Sequence, residues 1–178
     1  MGKQWSGDSR GASLVELALA LPLLVMLLVG MVSAGIAYNN QLALTHAARE
    51  GGRYAATLPV TNFASPSMEN WLDEVAAQVI EDATGSLDPG VEGRYICVAY
   101  VHPNGDLSTD STKSRVEDSS GVTYSDPPAP CFADGRPNDE QRVQVEVRRG
   151  SDFNVVFFST TVNLDSEAVN RFEAGVGF

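Results

Sequence analysis

The sequence predicts an α+β protein: a long N-terminal transmembrane helix that continues into a stalk, then a small head with one helix on a three-stranded antiparallel sheet. Three observations carry this. Leu17 to Ile36 is a run of twenty residues without a charge, which at about 1.5 Å per residue spans the roughly 30 Å apolar slab of a bilayer. Apolar residues recur at helical spacing between Trp71 and Ala83, as one buried helix face requires. From residue 94 onward the period changes to two, the mark of strands with one face inward.

The chain has 178 residues, of which about 120 lie beyond the long helix, enough for one compact head with its own core. Net charge is −11, and beyond Thr57 the count of 20 acids against 8 bases gives −12 for the head alone. Such a polyanion lacks the Lys and Arg that would neutralise phosphates, so nucleic acid is not an expected partner. The acidity reads as solubility.

In chain order, Met1 to Ser9 is short, polar and rich in Gly and Ser, a leader rather than structure. Inside the apolar run, Pro22 cannot donate to the carbonyl of Ala18, so a kink or local loosening is expected there. Gly30, Ser33, Ala34 and Ala37 form a stripe of small residues at three- and four-residue spacing. On a membrane helix such a stripe lets another helix approach closely. The helix is expected to continue through Leu42, Leu44, Ala47, Ala48, Tyr54 and Ala55 to Thr57, weakened at Gly51 and Gly52 and ended by Pro59, Asn62 and Pro66. From Leu14 that makes about 66 Å of helix, twice what a membrane needs. The second half must therefore stand in water and pack on something.

Ser65 and Pro66 form a helix start, with the hydroxyl as cap and proline in the first turn. Trp71, Leu72, Val75, Ala76, Val79, Ile80 and Ala83 then mark a core face opposite Glu69, Asp73, Glu74, Glu81 and Asp82, and Gly85 closes the helix. Strands are expected over residues 94–102, 142–149 and 153–164, the last two joined by a turn at Gly150 to Asp152. Between the first two lies a polar loop, 104–141, containing Pro127, Pro128 and Pro130. The C-terminal residues from Ser166 are expected to form a short helical turn or a tail, with Val169 and Phe172 as apolar contacts. Cys97 and Cys131 are the two cysteines. If the span exports its C-terminal side, they meet an oxidising compartment and most simply bond to each other; the other reading is two separate buried thiols. The bond would tie the long loop back to the sheet.

A catalytic reading finds little to stand on. His46 and His102 have no Cys or Ser motif beside them, and there is no phosphate loop, His-Glu-x-x-His pattern or Gly-x-Ser-x-Gly elbow. No calcium-loop pattern orders Asp106, Asp110, Glu117, Asp118 and Asp126. No catalytic residue, cofactor or metal is therefore expected, and the expectation is that the chain is not an enzyme. The site that remains is one on which another enzyme acts.

Residues 10–24, RGASLVELALALPLL, resemble the junction of a type IV prepilin, in which a short basic leader ends in Gly and an acid stands at the fifth residue of the mature chain. Gly11 would be the last leader residue, Ala12 the new N-terminus and Glu16 the fifth mature residue. The wider stretch, with AAREGGRYAAT and the distant RFEAG, resembles TadE-like proteins of the Tad (Flp) pilus system. The resemblance implies cleavage by a prepilin peptidase and a role as a minor pilin or pseudopilin in pilus assembly or adhesion. Its implied partners are that peptidase, other Tad pilins and assembly platform proteins, and the lipid bilayer. TadE and the related TadF share the motif, which does not separate them. The implied division is a leader over 1–11, transmembrane helix and stalk over 12–57, and an extracytoplasmic head over 58–178, with the N-terminus cytoplasmic in a single-pass membrane protein.

The motif has a physical logic. Cleavage leaves an ammonium on Ala12, and Glu16 stands four residues on, one helical turn away on the same face. A carboxylate near a helix N-terminus also complements the helix dipole. Two rival readings are an uncleaved, membrane-anchored extracytoplasmic binding domain, and a secreted protein cut by signal peptidase after Val32-Ser33-Ala34. The apolar run is longer than the usual signal-peptide core.

Overall fold

The computed structural model describes residues 9–60, 66–101, 112–125, 129–136, 140–155 and 158–173. A helix, α1, runs from Ser9 to Thr57. Its 49 residues make about 74 Å at about 1.5 Å each, and it ends at the expected residue. It passes through Pro22 without a break in helical structure. The second helix, α2, covers Ser67–Asp82. Its N-cap is Pro66 and makes no side-chain cap bond, so the first turn is anchored by Asn70 N–H donating to the Pro66 carbonyl at 3.0 Å; Ser65, expected as the cap, lies outside the described residues. Ala83 closes α2, and the chain leaves through Thr84 and Gly85, both at positive φ, the left-handed exit that glycine accommodates best.

Five strands, not three, make up the sheet among the described residues: β1 Tyr95–Val101, β2 Lys113–Asp118, β3 Gly121–Tyr124, β4 Arg142–Val155 and β5 Phe158–Arg171. All neighbours are antiparallel, in the order β3-β2-β1-β4-β5. The two additional strands form a hairpin inside the segment expected as loop. Gly150 to Asp152, expected as a turn, lies within β4, which pairs with β5 from Arg142↔Arg171 to Val155↔Phe158. Gly150 is there for a close approach: its N–H donates to the Glu92 carbonyl at 2.6 Å, and a Cβ would stand 2.9 Å from Thr161 Cγ2. Residues 166–171, expected as helical turn or tail, are strand because β4 offers them a full ladder, which outweighs the helical preference of Glu167 and Ala168.

The pleat sorts the sheet into two faces. Ile96, Val98, Tyr100, Val143, Val145 and Val147 turn to the helices and join Trp71, Leu72, Val75 and Val79 of α2 in one core. That core includes Leu44, Ala47, Ala48 and Ala55 of α1, so the half of α1 that leaves the apolar span packs on its own head. The small residues allow intimate contact. A Cβ on Gly51 would stand 2.2 Å from Val79 Cγ2, and one on Gly52 2.9 Å from Asn170 Nδ2. The glycines that weaken the helix as an isolated element are what let α2 and β5 reach it.

Trp71, Tyr100 and Phe172 close the core edge-to-face, with ring centroids 5.2 to 6.3 Å apart. Phe172 N–H donates to the Gln141 carbonyl and Glu173 N–H to that of Ala56, so this part of the RFEAG segment seats against the end of α1. On the opposite face, Cys97 and Cys131 are bonded, with Cα atoms 5.8 Å apart. The bond pins residues 129–136 over the sheet, where the buried Gln144 amide accepts from Cys131 N–H and donates to the Phe132 carbonyl and Asp134.

Candidate functional site

The motif residues lie at the first turns of α1. Among the described residues nothing lies within 4 Å of where a Cβ on Gly11 would stand, and Glu16 is exposed one turn beyond Ala12. From Leu14 to Ile36 most of the large apolar side chains, including Leu19, Leu23, Leu27, Leu28 and Met31, are exposed, with Met26 and Val29 half-buried. Only 6% of the most apolar stretch is buried, and α1 is long and apolar enough to cross a membrane once. Exposed leucines along several turns of one helix are unfavourable in water at about 25 cal/mol per Å² and find their natural solvent in lipid. The polar residues Tyr38, Asn39, Asn40 and Gln41 come next, a sequence of aromatic and amide side chains suited to a membrane–water boundary.

Part of the small-residue stripe is occupied from within the chain. Ser33 Oγ donates to the Asn154 carbonyl of β4 at 2.8 Å, and Ala37 is half-buried, whereas Ala34 is exposed. Asn40 Nδ2 donates to Ser151 Oγ at 3.4 Å and Gln41 Nε2 to the Asp165 carbonyl at 2.8 Å. A strand, rather than a second helix, thus lies along this side of α1. The sequence signal for it was the uncharged run 153–164, FNVVFFSTTVNL, which shows that a strand is there but not what it runs beside.

The acids of α2, expected as a solvated face, make specific bonds. Tyr54 Oη of α1 donates to Glu74 Oε1 at 2.6 Å. Asp73 receives Arg115 Nε at 2.6 Å and Tyr124 Oη at 2.8 Å, which fastens the β2–β3 hairpin to α2. Glu117 sits between Arg94 and Arg115 at 2.6 and 2.7 Å. Burial pushes its carboxyl up, but the hydrogen bonds from both guanidinium groups outweigh this and hold it below the usual range. Asp134 behaves likewise: burial raises it, and bonds from Gln144 and Arg142 bring it below its ordinary value. Glu146 is the opposite case. Its burial pushes the carboxyl up more than Arg148 can offset, and its Oε2 has no hydrogen-bond partner among the described residues.

His46 is exposed on α1 and lines an open cleft of about 890 Å³ with Glu50, Arg53, Tyr54, Gln78 and Asp82. Arg53 there already pairs with Glu50 at 3.2 Å. His102, Asp106 and Asp110 lie outside the described residues, as does Asp126. Among the described residues no three His, Cys, Asp or Glu side chains are placed to hold a metal.

The family model described as TadE-like protein matches residues 11–53. No curated protein and no solved structure matches the chain. The match starts at the glycine of the motif and ends within the buried part of α1, so it takes in the exposed span, the boundary residues and the glycines that contact α2 and β5. Gly11 to Arg53 of this chain are therefore similar to TadE-like proteins.

Proposed function

We propose that the chain is a minor pilin or pseudopilin of a Tad (Flp) pilus. A prepilin peptidase removes residues 1–11, Ala12 becomes the N-terminus, and the single span holds the protein in the cytoplasmic membrane with its head outside. From there the N-terminal helix docks on other Tad pilins and on the assembly platform, in pilus assembly or adhesion. The observation that carries this reading is the division of α1: its first half exposes apolar side chains over most of its surface, away from the side at Ser33 where β4 lies, while its second half is built into the head. A helix so divided can exchange lipid for neighbouring helices without disturbing the head. A free carboxylate in mid-bilayer costs about 2.5–3.5 kcal/mol or more, so Glu16 needs an amine partner when it goes deep, and an Ala12 ammonium in the assembling structure supplies one.

Two variants test this. Gly11→Leu should leave the leader attached, because a bulky side chain blocks the bond to be cut. Glu16→Gln should be processed and inserted normally yet fail to enter assemblies, measured by co-isolation with the sheared pilus fraction. Unchanged assembly of the Glu16→Gln chain would favour the uncleaved, anchored binding domain instead.

A further inference from the structure

The β4–β5 hairpin extends beyond the core and runs back along α1 toward its N-terminus. Ser151 meets Asn40, and three residues later Asn154 meets Ser33. Three strand residues are about 10 Å and seven helix residues about 10.5 Å, so the two elements run side by side. Ser33 belongs to the uncharged span and stands five residues before Tyr38. The end of the described ladder, Val155↔Phe158, lies one strand residue further still. If Tyr38 to Asn40 mark the boundary, this end lies about 10 Å inside it.

The side chains there suit that depth. Between Asp152 and Asp165 the chain carries no charge, although the head as a whole is strongly acidic. Cross-strand partners share a face, so Phe153, Val155, Phe158 and Val162 lie, together with Thr160, on the same side as Ser151, the residue that bonds α1. Phe158 is 58% and Val162 43% exposed, as are most of the large apolar side chains of α1 between Leu14 and Ile36. The other face holds Asp152, Asn154, Ser159 and Thr161.

We infer that the β4–β5 hairpin is a second membrane contact, which inserts Val155, Phe158 and Val162 into the leaflet on the head's side and fixes the head against the bilayer surface. The occupant of this apolar face is lipid. The hydrogen bond from Ser33 holds the hairpin at the level of a helix segment that lipid already surrounds, and insertion adds an aromatic side chain to an existing membrane interface. Depth is limited by the backbone: β5 is an edge strand, and unpaired N–H and C=O groups are not tolerated in the hydrocarbon interior. The hairpin therefore stops at the headgroup–acyl boundary, where amphipathic surfaces settle about 5–10 Å deep.

The inference rests on the reading of α1 as a membrane span, and the test separates the two. The full-length chain, with its disulfide intact, is reconstituted in phosphatidylcholine–phosphatidylglycerol vesicles as three single-site variants, Phe158→Cys, Leu28→Cys and Thr123→Cys. Each carries an environment-sensitive fluorophore, and the lipids carry a nitroxide quencher either near the headgroup or deep in the acyl chain. The expected result is loss of Phe158-site emission with the shallow quencher, loss of Leu28-site emission with the deep one, and no loss at Thr123 on β3. Quenching at Leu28 without quenching at Phe158 overturns the inference and leaves the span intact. A blue-shifted but unquenched Phe158 site means that a second copy or another protein covers the hairpin, which also overturns it. No quenching at either site removes the membrane span and the inference together.

Discussion

Among individual residues, the buried carboxylates of the head oppose one another in how they respond to pH. Asp134 and Glu117 are held below the usual carboxylate range. A folded value below the unfolded one adds stability above the unfolded value and loses it as pH falls through the folded one. The head should therefore unfold more easily in urea as pH drops below about 4. Asp134→Ala removes the carboxylate that pairs with Arg142, whose side chain is 7% exposed, and should cost about 3 kcal/mol at neutral pH, a typical figure for breaking a buried pair. Glu146 has the reverse sign: with its value raised, its contribution is fully present below the unfolded value and lost as pH rises through the folded one. Glu146→Gln should raise the urea midpoint at pH 7 and change it little near pH 4. A lower midpoint at pH 7 would show that the contact with Arg148 outweighs the burial of the charge.

Among the elements, contacts depend on small residues and on one covalent bond. Gly51→Ala gains up to about 1 kcal/mol of helix propensity, yet places a Cβ against the β-branched, buried Val79. Overpacking of that kind typically costs about 1–3 kcal/mol. The variant should be less stable, and Val79→Ala in the same chain should recover part of the loss. The bond between Cys97 and Cys131 closes a loop with a sequence separation of 34, for which chain entropy gives about 4 kcal/mol. Replacing both by Ser should lower stability by that order and release residues 129–136 to proteolysis first, read by mass spectrometry of the early fragments.

The elements that packing alone defines were legible in the sequence: the span, α2 with Trp71 inward, and the alternating valines of β4. The bonded cysteines could be inferred from their number and expected compartment. The β2–β3 hairpin was not legible because KSRVED and GVTY are short and polar, and only pairing with β1 and the Arg115 and Tyr124 bonds to Asp73 make them strands. Gly150 misled for a related reason. Glycine before Ser and Asp is turn chemistry locally, whereas its cause here, the approach of Glu92, is 58 residues away in the chain. At the N-terminal end the spacing of Gly11, Ala12 and Glu16 is a local feature, so the role proposed for them rests on the sequence motif, and the TadE-like match begins at that glycine. The hairpin beside the span was not legible, since its partner lies 121 residues away.

In the whole molecule, α1 belongs to two environments at once. Leu44, Ala47, Ala48 and Ala55 are fully buried in the head, while most of the large apolar side chains from Leu14 to Ile36 are exposed. A chain lacking residues 1–36 should therefore keep its fold by circular dichroism, and one lacking 1–57 should lose it, because deleting several core side chains costs about 2–5 kcal/mol for each large one against a total of about 5–15. If this divided helix is a processed pilin helix, its N-terminus is made by cleavage, which is read from the intact mass and N-terminal sequence of the protein isolated from cells that contain a prepilin peptidase. The prediction is a chain beginning at Ala12, dependent on that peptidase; a chain beginning at Met1 or at Gly35 would contradict it.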